Sequence, residues 1–225
     1  MTSFNRFSPG EIYHCYNRGV DKRITFDTTL DYKRFIQLLF LCNNKKLIQR
    51  SSLYNINHDD VFDIQKDNPL VSIGGYCLMP NHFHLLLQEI DEGGISLFMS
   101  RIGNSYTKYY NLKNNRNGNL FVKPFLSKHI LSDQHYSHIV QYIHLNPAEL
   151  FEPNWKTGKV ANTDQLEISL TEYPYSSLRD YLGIKRPEQK LLDPTFVSSL
   201  SNELPSLKNI LDEASEYYAD IEQNS

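Results

Sequence analysis

The chain is 225 residues long, 40% hydrophobic, 22% charged and 12% aromatic, and carries a formal net charge of −3. That is enough chain for one large domain with appendages, and the composition excludes a disordered or fibrous protein. No apolar run approaches the roughly 20 residues that crossing a bilayer requires, and the N-terminal stretch lacks the apolar segment of a secretory signal. Cys15, Cys42 and Cys77 stand far apart, without metal-ligand spacing or an even disulfide framework, so a reduced, cytoplasmic protein is expected.

In chain order, Glu11–Tyr16 is rich in aromatic and β-branched residues and predicts a strand ending at Asn17-Arg18-Gly19. Asp31 is placed to cap a helix whose apolar positions Phe35, Leu38, Leu39 and Cys42 recur at helical spacing. From about 45 to 69 the period is lost among Asn, Asp and Lys, which reads as an insertion. Val71–Met79 and His82–Glu89 predict two strands joined by a tight turn at Pro80-Asn81. Period two puts His82, His84 and Leu86 on one face of the second strand and Phe83, Leu85 and Leu87 on the other. After Gly93-Gly94, the stripe Phe98, Ile102, Ser105, Tyr106 and Tyr109 predicts a helix. Phe121–Ile130 suits a further strand, and Asp133 a cap for a third helix running to about Leu145, where Pro147 stops it. The order strand, helix, two-strand hairpin, helix, strand, helix predicts an α+β fold. It is a ferredoxin-like antiparallel sheet with helices on one face and the other face open, plus a C-terminal extension.

Charge is unevenly distributed along this order. Between Gly93 and Ser132 there is no Asp or Glu, whereas Arg101, Lys108, Lys113, Arg116, Lys123 and Lys128 are basic. The stretch 201–225 carries Glu203, Asp212, Glu213, Glu216, Asp220 and Glu222 against Lys208. An acidic tail thus masks a basic middle, and such asymmetry points to a polyanionic partner.

Two imidazoles at i and i+2 on one strand point the same way and can grip one divalent ion. His82 and His84 have that spacing, on the face that the apolar residues leave. In the third helix Tyr142 and Asn146 are one turn apart, so a phenol and an amide oxygen share a face. Tyr136 and His138 stand on the same helix as rivals for nucleophile and for ligand or proton carrier; His14, which alternates with Tyr13 and Cys15, either faces the His82/His84 side or is a satisfied structural histidine, and the structural reading is preferred.

These residues carry a resemblance. Tyr13-His14 with Asn17-Arg18-Gly19, the run Leu78-Met79-Pro80-Asn81-His82-Phe83-His84, and Tyr142-Ile143-His144-Leu145-Asn146-Pro147 resemble the REP-associated tyrosine transposases. These are single-strand transposases within the His-hydrophobic-His (HUH) endonuclease superfamily. Phe98-Met99-Ser100-Arg101, Gly118-Asn119-Leu120-Phe121 and Tyr173-Pro174-Tyr175-Ser176-Ser177 add to the match, which spans residues 10–183. It implies a domain over 1–183 with the HUH motif on a central strand and an insertion at about 45–69. An acidic, partly helical tail over 184–225 follows.

The resemblance also implies a chemistry. His82 and His84, with Asn146 in the place of a further ligand, would hold Mg²⁺ or Mn²⁺, and Tyr142 would attack a DNA phosphate, leaving a 5′-phosphotyrosine and a free 3′-hydroxyl. The expected partner is single-stranded DNA with hairpin-forming repeats, contacted by Asn17, Arg18, Arg101, Lys108, Lys123 and Lys128. No membrane partner is implied; the repeat-associated branch implies a monomer, and other single-strand transposases are homodimers. Glu149 departs from the pattern, standing where relatives carry a basic residue. The alternative from another class is a domesticated relative that binds structured single-stranded DNA or RNA without cutting it.

Overall fold

A computed structural model describes residues 7–200, apart from 47, 49–52, 54–55, 67 and 158–159, so the acidic stretch 201–225 lies outside the described residues. Alternating apolar residues in β1 (Ile12–Arg18), β2 (Val71–Met79) and β3 (His82–Glu89), with the shorter β4 (Leu126–Ile130), build a four-stranded sheet. Its order is β2-β3-β1-β4, and every neighbouring pair is antiparallel. Pro80-Asn81 makes the expected two-residue turn between β2 and β3. Strand, helix, hairpin, helix and strand follow one another as in the ferredoxin-like arrangement that the sequence predicts.

One sheet face carries Tyr13, Cys15, Phe83, Leu85 and Leu87, all buried. Helices α1 (Thr29–Leu41) and α2 (Gly94–Lys113) cover it, with the Phe35 and Phe83 rings 4.8 Å apart. Phe98, Ile102 and Tyr106 of the predicted stripe are fully buried, and the Tyr106 hydroxyl donates to the Thr25 carbonyl at 2.7 Å. Asp31 is not the cap of α1 but its third residue: Thr28 is the N-cap, and the two form a reciprocal capping box. The Asp31 carboxylate, fully buried, also accepts from Lys113 Nζ at 2.7 Å and from the Tyr109 hydroxyl at 2.8 Å, tying the start of α1 to the end of α2.

The second face is not open. Helix α3 (Asp133–Leu145) lies across it against β2 and β3, burying Ile139, Val140 and Ile143. Its cap is Ser132, whose hydroxyl accepts from the His135 N–H at 3.2 Å, and Asp133 is its first residue. The strand expected over Phe121–Ile130 forms only from Leu126, while Phe121 makes a single bridge to Gly19. Short α4 (Ala148–Phe151) and α5 (Thr163–Glu172), which the sequence reading did not anticipate, pack with Leu145 and Trp155 in a small second core.

Residues on both sides of the boundary expected at 183 pack against the sheet. Residues 175–177 run along the outer edge of β2, where the Leu78 N–H donates to the Tyr175 carbonyl and the Ser177 N–H to the Tyr76 carbonyl, both at 2.9 Å. After α6 (Leu178–Tyr181), Arg186 reaches back to Asp180, to the Tyr76 hydroxyl and to the Ser176 carbonyl. A 3-10 turn at Pro187–Leu191 covers another at Asp59–Asp63 in the insertion, so the two late additions pack on each other. Phe196 of α7 (Pro194–Leu200) lies so close over Gly74 that a Cβ there would stand 2.7 Å from the ring. Leu191, Leu192 and Phe196 belong to the main core, because the strands of β2 would otherwise expose their second face.

Removing Arg186 would leave the buried Asp180 carboxylate without its partner. Arg186→Ala is therefore expected to lose about 3–5 kcal/mol of stability, and a chain ended at residue 183 to lose more. Urea unfolding followed by circular dichroism measures both; a truncated chain as stable as the full one would set the domain boundary at residue 183.

Candidate active site

The register of β1 against β3 sets His82 opposite Arg18, His84 opposite Tyr16 and Leu86 opposite His14. Directly paired residues share a face, so these side chains all project toward α3. His14 Nε2 and His84 Nδ1 are 2.9 Å apart in a buried hydrogen bond between rings inclined at 21°. The other nitrogen of His84, Nε2, is buried with no hydrogen-bond partner among the described residues. His82 is half-buried, and its Nδ1 is engaged by Asn81 Oδ1 at 2.6 Å.

Helix α3 brings Tyr142 onto this group. The Tyr142 ring stands edge-on to His84, with centroids 5.3 Å apart at 90°, and 5.7 Å from His14. Asn146 keeps αR geometry (φ −50°, ψ −41°) in front of Pro147, so the one-turn spacing from Tyr142 holds. Its Nδ2 donates to the Tyr142 carbonyl at 2.8 Å, and its side chain also interacts with the His82 ring and the Tyr142 side chain. His82, His84, Tyr142 and Asn146 are thus brought together. His84 is only 4% exposed. The pair is not the exposed one expected from an open sheet face.

Burial decides the protonation of the group. It pushes His14 down to about 3, with Lys128 and then His135 adding to the shift. It holds His84 well below the ordinary imidazole value, reinforced by His14 and His82. His82 is lowered by the same cause, opposed by the hydrogen bond that its ring makes to Asn146. The Tyr142 phenol is pushed up to about 12, Asn146 offsetting part of the effect. The cluster therefore presents neutral imidazoles and a protonated phenol at neutral pH.

The remaining expected residues divide between locations. Arg18 is exposed opposite His82, and Lys128 stands opposite His14, so both are on the site face. Asn17 points to the other face, where its Nδ2 donates to the Val122 carbonyl at 3.0 Å. Arg101 donates to the carbonyls of Asn44 (2.6 Å) and Lys45 (3.2 Å), so its guanidinium closes the end of α1 rather than standing open. Lys108 and Lys123 are exposed, Lys108 on α2 across the sheet from the histidines and Lys123 in the loop before β4. Tyr136 packs on Phe196 and interacts with Tyr181, away from the histidines. His138 is half-buried near His135.

Three further residues join the site. His14 faces His84 rather than standing as a structural histidine, in keeping with its alternation with the inward Tyr13 and Cys15. Tyr16 follows by the same alternation and stacks on His14 at 4.9 Å. Lys156 acts electrostatically on His82 and His84 and pairs with Glu149 at 3.7 Å, and no local pattern marks it. Among the described residues no group of three or more His, Cys, Asp and Glu is arranged to hold a metal, and no helix is long and apolar enough to cross a membrane.

No family model and no curated protein matches the chain. A solved structure does: a REP-associated tyrosine transposase bound to a REP hairpin, at 16% sequence identity and a TM-score of 0.51. The match covers 84% of this chain and 90% of that one, so the two share a fold.

The lowered imidazoles give stability a pH dependence with a defined sign. His14 and His144, each lowered to about 3 chiefly by burial, bind fewer protons folded than unfolded at any pH between there and the ordinary 6.5. Stability is thus lost as pH falls below 6.5, by about 2 kcal/mol per histidine at pH 5. Urea midpoints at pH 7 and pH 5 should differ accordingly; equal midpoints would mean that the folded chain protonates both rings.

Proposed function

We propose that the chain is a metal-dependent single-stranded DNA endonuclease and strand transferase, nicking and rejoining DNA at hairpin-forming repeats through a 5′-phosphotyrosine. The observation that carries this reading is the Tyr142 ring set edge-on to His84, whose buried Nε2 has no partner among the described residues. A buried acceptor or donor left unpaired costs stability unless something else satisfies it. The fold shared with a hairpin-bound transposase supports the same reading.

The donor set fits a divalent ion. With Nδ1 of both His82 and His84 taken by other side chains, the second nitrogen of each is the one available to an ion; that of His84 has no partner among the described residues, while the His82 ring also hydrogen-bonds the Asn146 side chain, whose amide oxygen adds a third neutral donor. The amide oxygen, with oxygens from substrate and water, suits Mn²⁺ or Mg²⁺, and the two imidazoles favour the transition metal of the two, Mn²⁺. When bound, such an ion supplies charge stabilisation at the scissile phosphate.

The chain's own residues do the rest. Tyr142 Oη forms a bond to phosphorus while the bond from phosphorus to the 3′ oxygen breaks; the phenol proton passes to solvent and the 3′ oxygen takes one up. His14 and His84 are too weakly basic to keep that proton. Joining is the reverse step with another 3′-hydroxyl as nucleophile, so the bond energy is conserved and no nucleotide cofactor is consumed. Arg18, Lys128 and Lys156 ring the site and lie where a phosphate backbone would enter. His14 acts through His84: the hydrogen bond fixes which nitrogen of His84 carries the proton and which faces the site.

Incubation with labelled hairpin oligonucleotides and Mn²⁺, followed by a denaturing gel, should give a covalent protein–DNA adduct. Tyr142→Phe and EDTA should each abolish it. An adduct persisting in the variant would move the nucleophile elsewhere, and binding without adduct across a panel of repeats would favour the non-cleaving binder.

A second measurement bears on His14. His14→Ala should weaken Mn²⁺ binding, followed by calorimetry, about 10–100-fold, while Tyr142→Phe keeps wild-type affinity. Unchanged affinity in His14→Ala would reduce His14 to a packing residue.

A further inference from the structure

On the sheet face opposite the histidines, α2 and the loop 119–125 enclose a cavity of about 410 Å³ that the proposed reaction does not use. Its floor is apolar and aromatic, including the half-buried Phe125; its rim is polar, with Asn104, Thr107 and Lys123; and no Asp or Glu lines it. Gly103 also lines it, from the interior of the 20-residue α2. A glycine there weakens the helix relative to alanine. Among the described residues nothing requires it: its φ is not left-handed, and a Cβ at that position would meet none of their atoms within 4 Å. The missing side chain leaves room in the cavity rather than relieving a contact.

We infer that this cavity receives one unpaired nucleobase of the DNA strand, an inference that rests on the DNA-processing reading above. The volume exceeds the roughly 300 Å³ at which small-molecule pockets begin, which admits a base with its sugar. Unpaired bases are bound by aromatic stacking and by amide groups that meet their edges. Phe125, which stacks on Phe7 at 6.0 Å, offers the ring, and Asn104, whose Nδ2 donates to Ser100 Oγ at 3.2 Å, has no partner for its carbonyl oxygen among the described residues. Lys123, exposed at the mouth, supplies the cation for the adjoining phosphate. The position connects to the active site. Asn17 borders the cavity while its neighbour Arg18 stands opposite His82, so a strand leaving the histidines passes Arg18 and rounds the end of β1 to reach it.

The test uses the full chain, a hairpin oligonucleotide with a four-nucleotide unpaired extension and the same hairpin without it, read by fluorescence anisotropy. Gly103→Leu fills the cavity and should weaken binding of the extended hairpin about tenfold or more, leaving the blunt hairpin unaffected. Gly103→Ala guards against a folding defect: it should raise Tm by about 2–4 °C while weakening the extended hairpin, a pair of effects that a purely structural role does not produce. Lys123→Ala should weaken binding and flatten its salt dependence. If wild type forms the adduct but Gly103→Leu and Gly103→Ala bind the extended hairpin with wild-type affinity, the cavity holds no base and the cleavage reading stands. If wild type neither binds the oligonucleotides nor forms the adduct, the DNA reading fails and the cavity inference with it.

Discussion

The buried hydrogen bond between His14 and His84 depends on a register that neither residue sets. The two are diagonal neighbours across β1 and β3, and their rings meet only because each leans toward the other over a sheet face already fixed. What fixes it is the opposite face, where Tyr13, Cys15, Phe83, Leu85 and Leu87 are locked under α1 and α2. A slip of one residue would turn the apolar set outward and the histidines into the core, at the cost of every one of those contacts. Core packing on one side of the sheet thus holds the geometry of the site on the other.

The electrostatic character of the site follows from its closure by α3. Under that helix, desolvation favours neutral forms, and the imidazoles and the phenol all shift in the direction that removes charge. The formal charges lie at the margin instead, in Arg18, Lys128 and the Glu149–Lys156 pair. Cations stand at the rim and neutral groups inside, and Glu149 is answered by Lys156 rather than left as an isolated charge. The net acidity of the chain is therefore a poor guide to the local field, since α2's basic residues include several committed to the fold. Lys113 is spent on the buried Asp31 and Arg101 on the carbonyls after α1.

Much of this arrangement was legible in the sequence because it is periodic. Alternation put His82 and His84 on one face and Phe83 and Leu85 on the other, the 3.6-residue stripe gave α2, and the Pro80-Asn81 turn gave the hairpin. The four residues His82, His84, Tyr142 and Asn146 come from two such elements, and the structure brings them together. Features that depend on contacts between distant segments were not legible. The three-residue spacing of Thr28 and Asp31 is a local capping-box signal that the reading of Asp31 as the cap passed over, whereas the choice of Ser132 over Asp133 rests on backbone conformation. The covering of the second face by α3, the role of Arg186 beyond the expected boundary at 183, and the approach of Lys156 to the histidines all arise from tertiary packing. His14 lies between these cases: the alternation was visible, and only its partner on another strand gave it meaning.

The segment 175–177 along β2 has a consequence for how the molecule meets other proteins. By taking up the outer hydrogen-bonding groups of β2 near Tyr76 and Leu78, it closes that side of the sheet to strand addition. Among the described residues β4 is then the strand whose outer edge no other strand covers, and it is short. Its central residue, Lys128, sits across from His14. Any association that extends this sheet is thereby channelled to the flank beside the histidine cluster, so that assembly by strand addition and access of a substrate to the site would compete for the same side of the molecule.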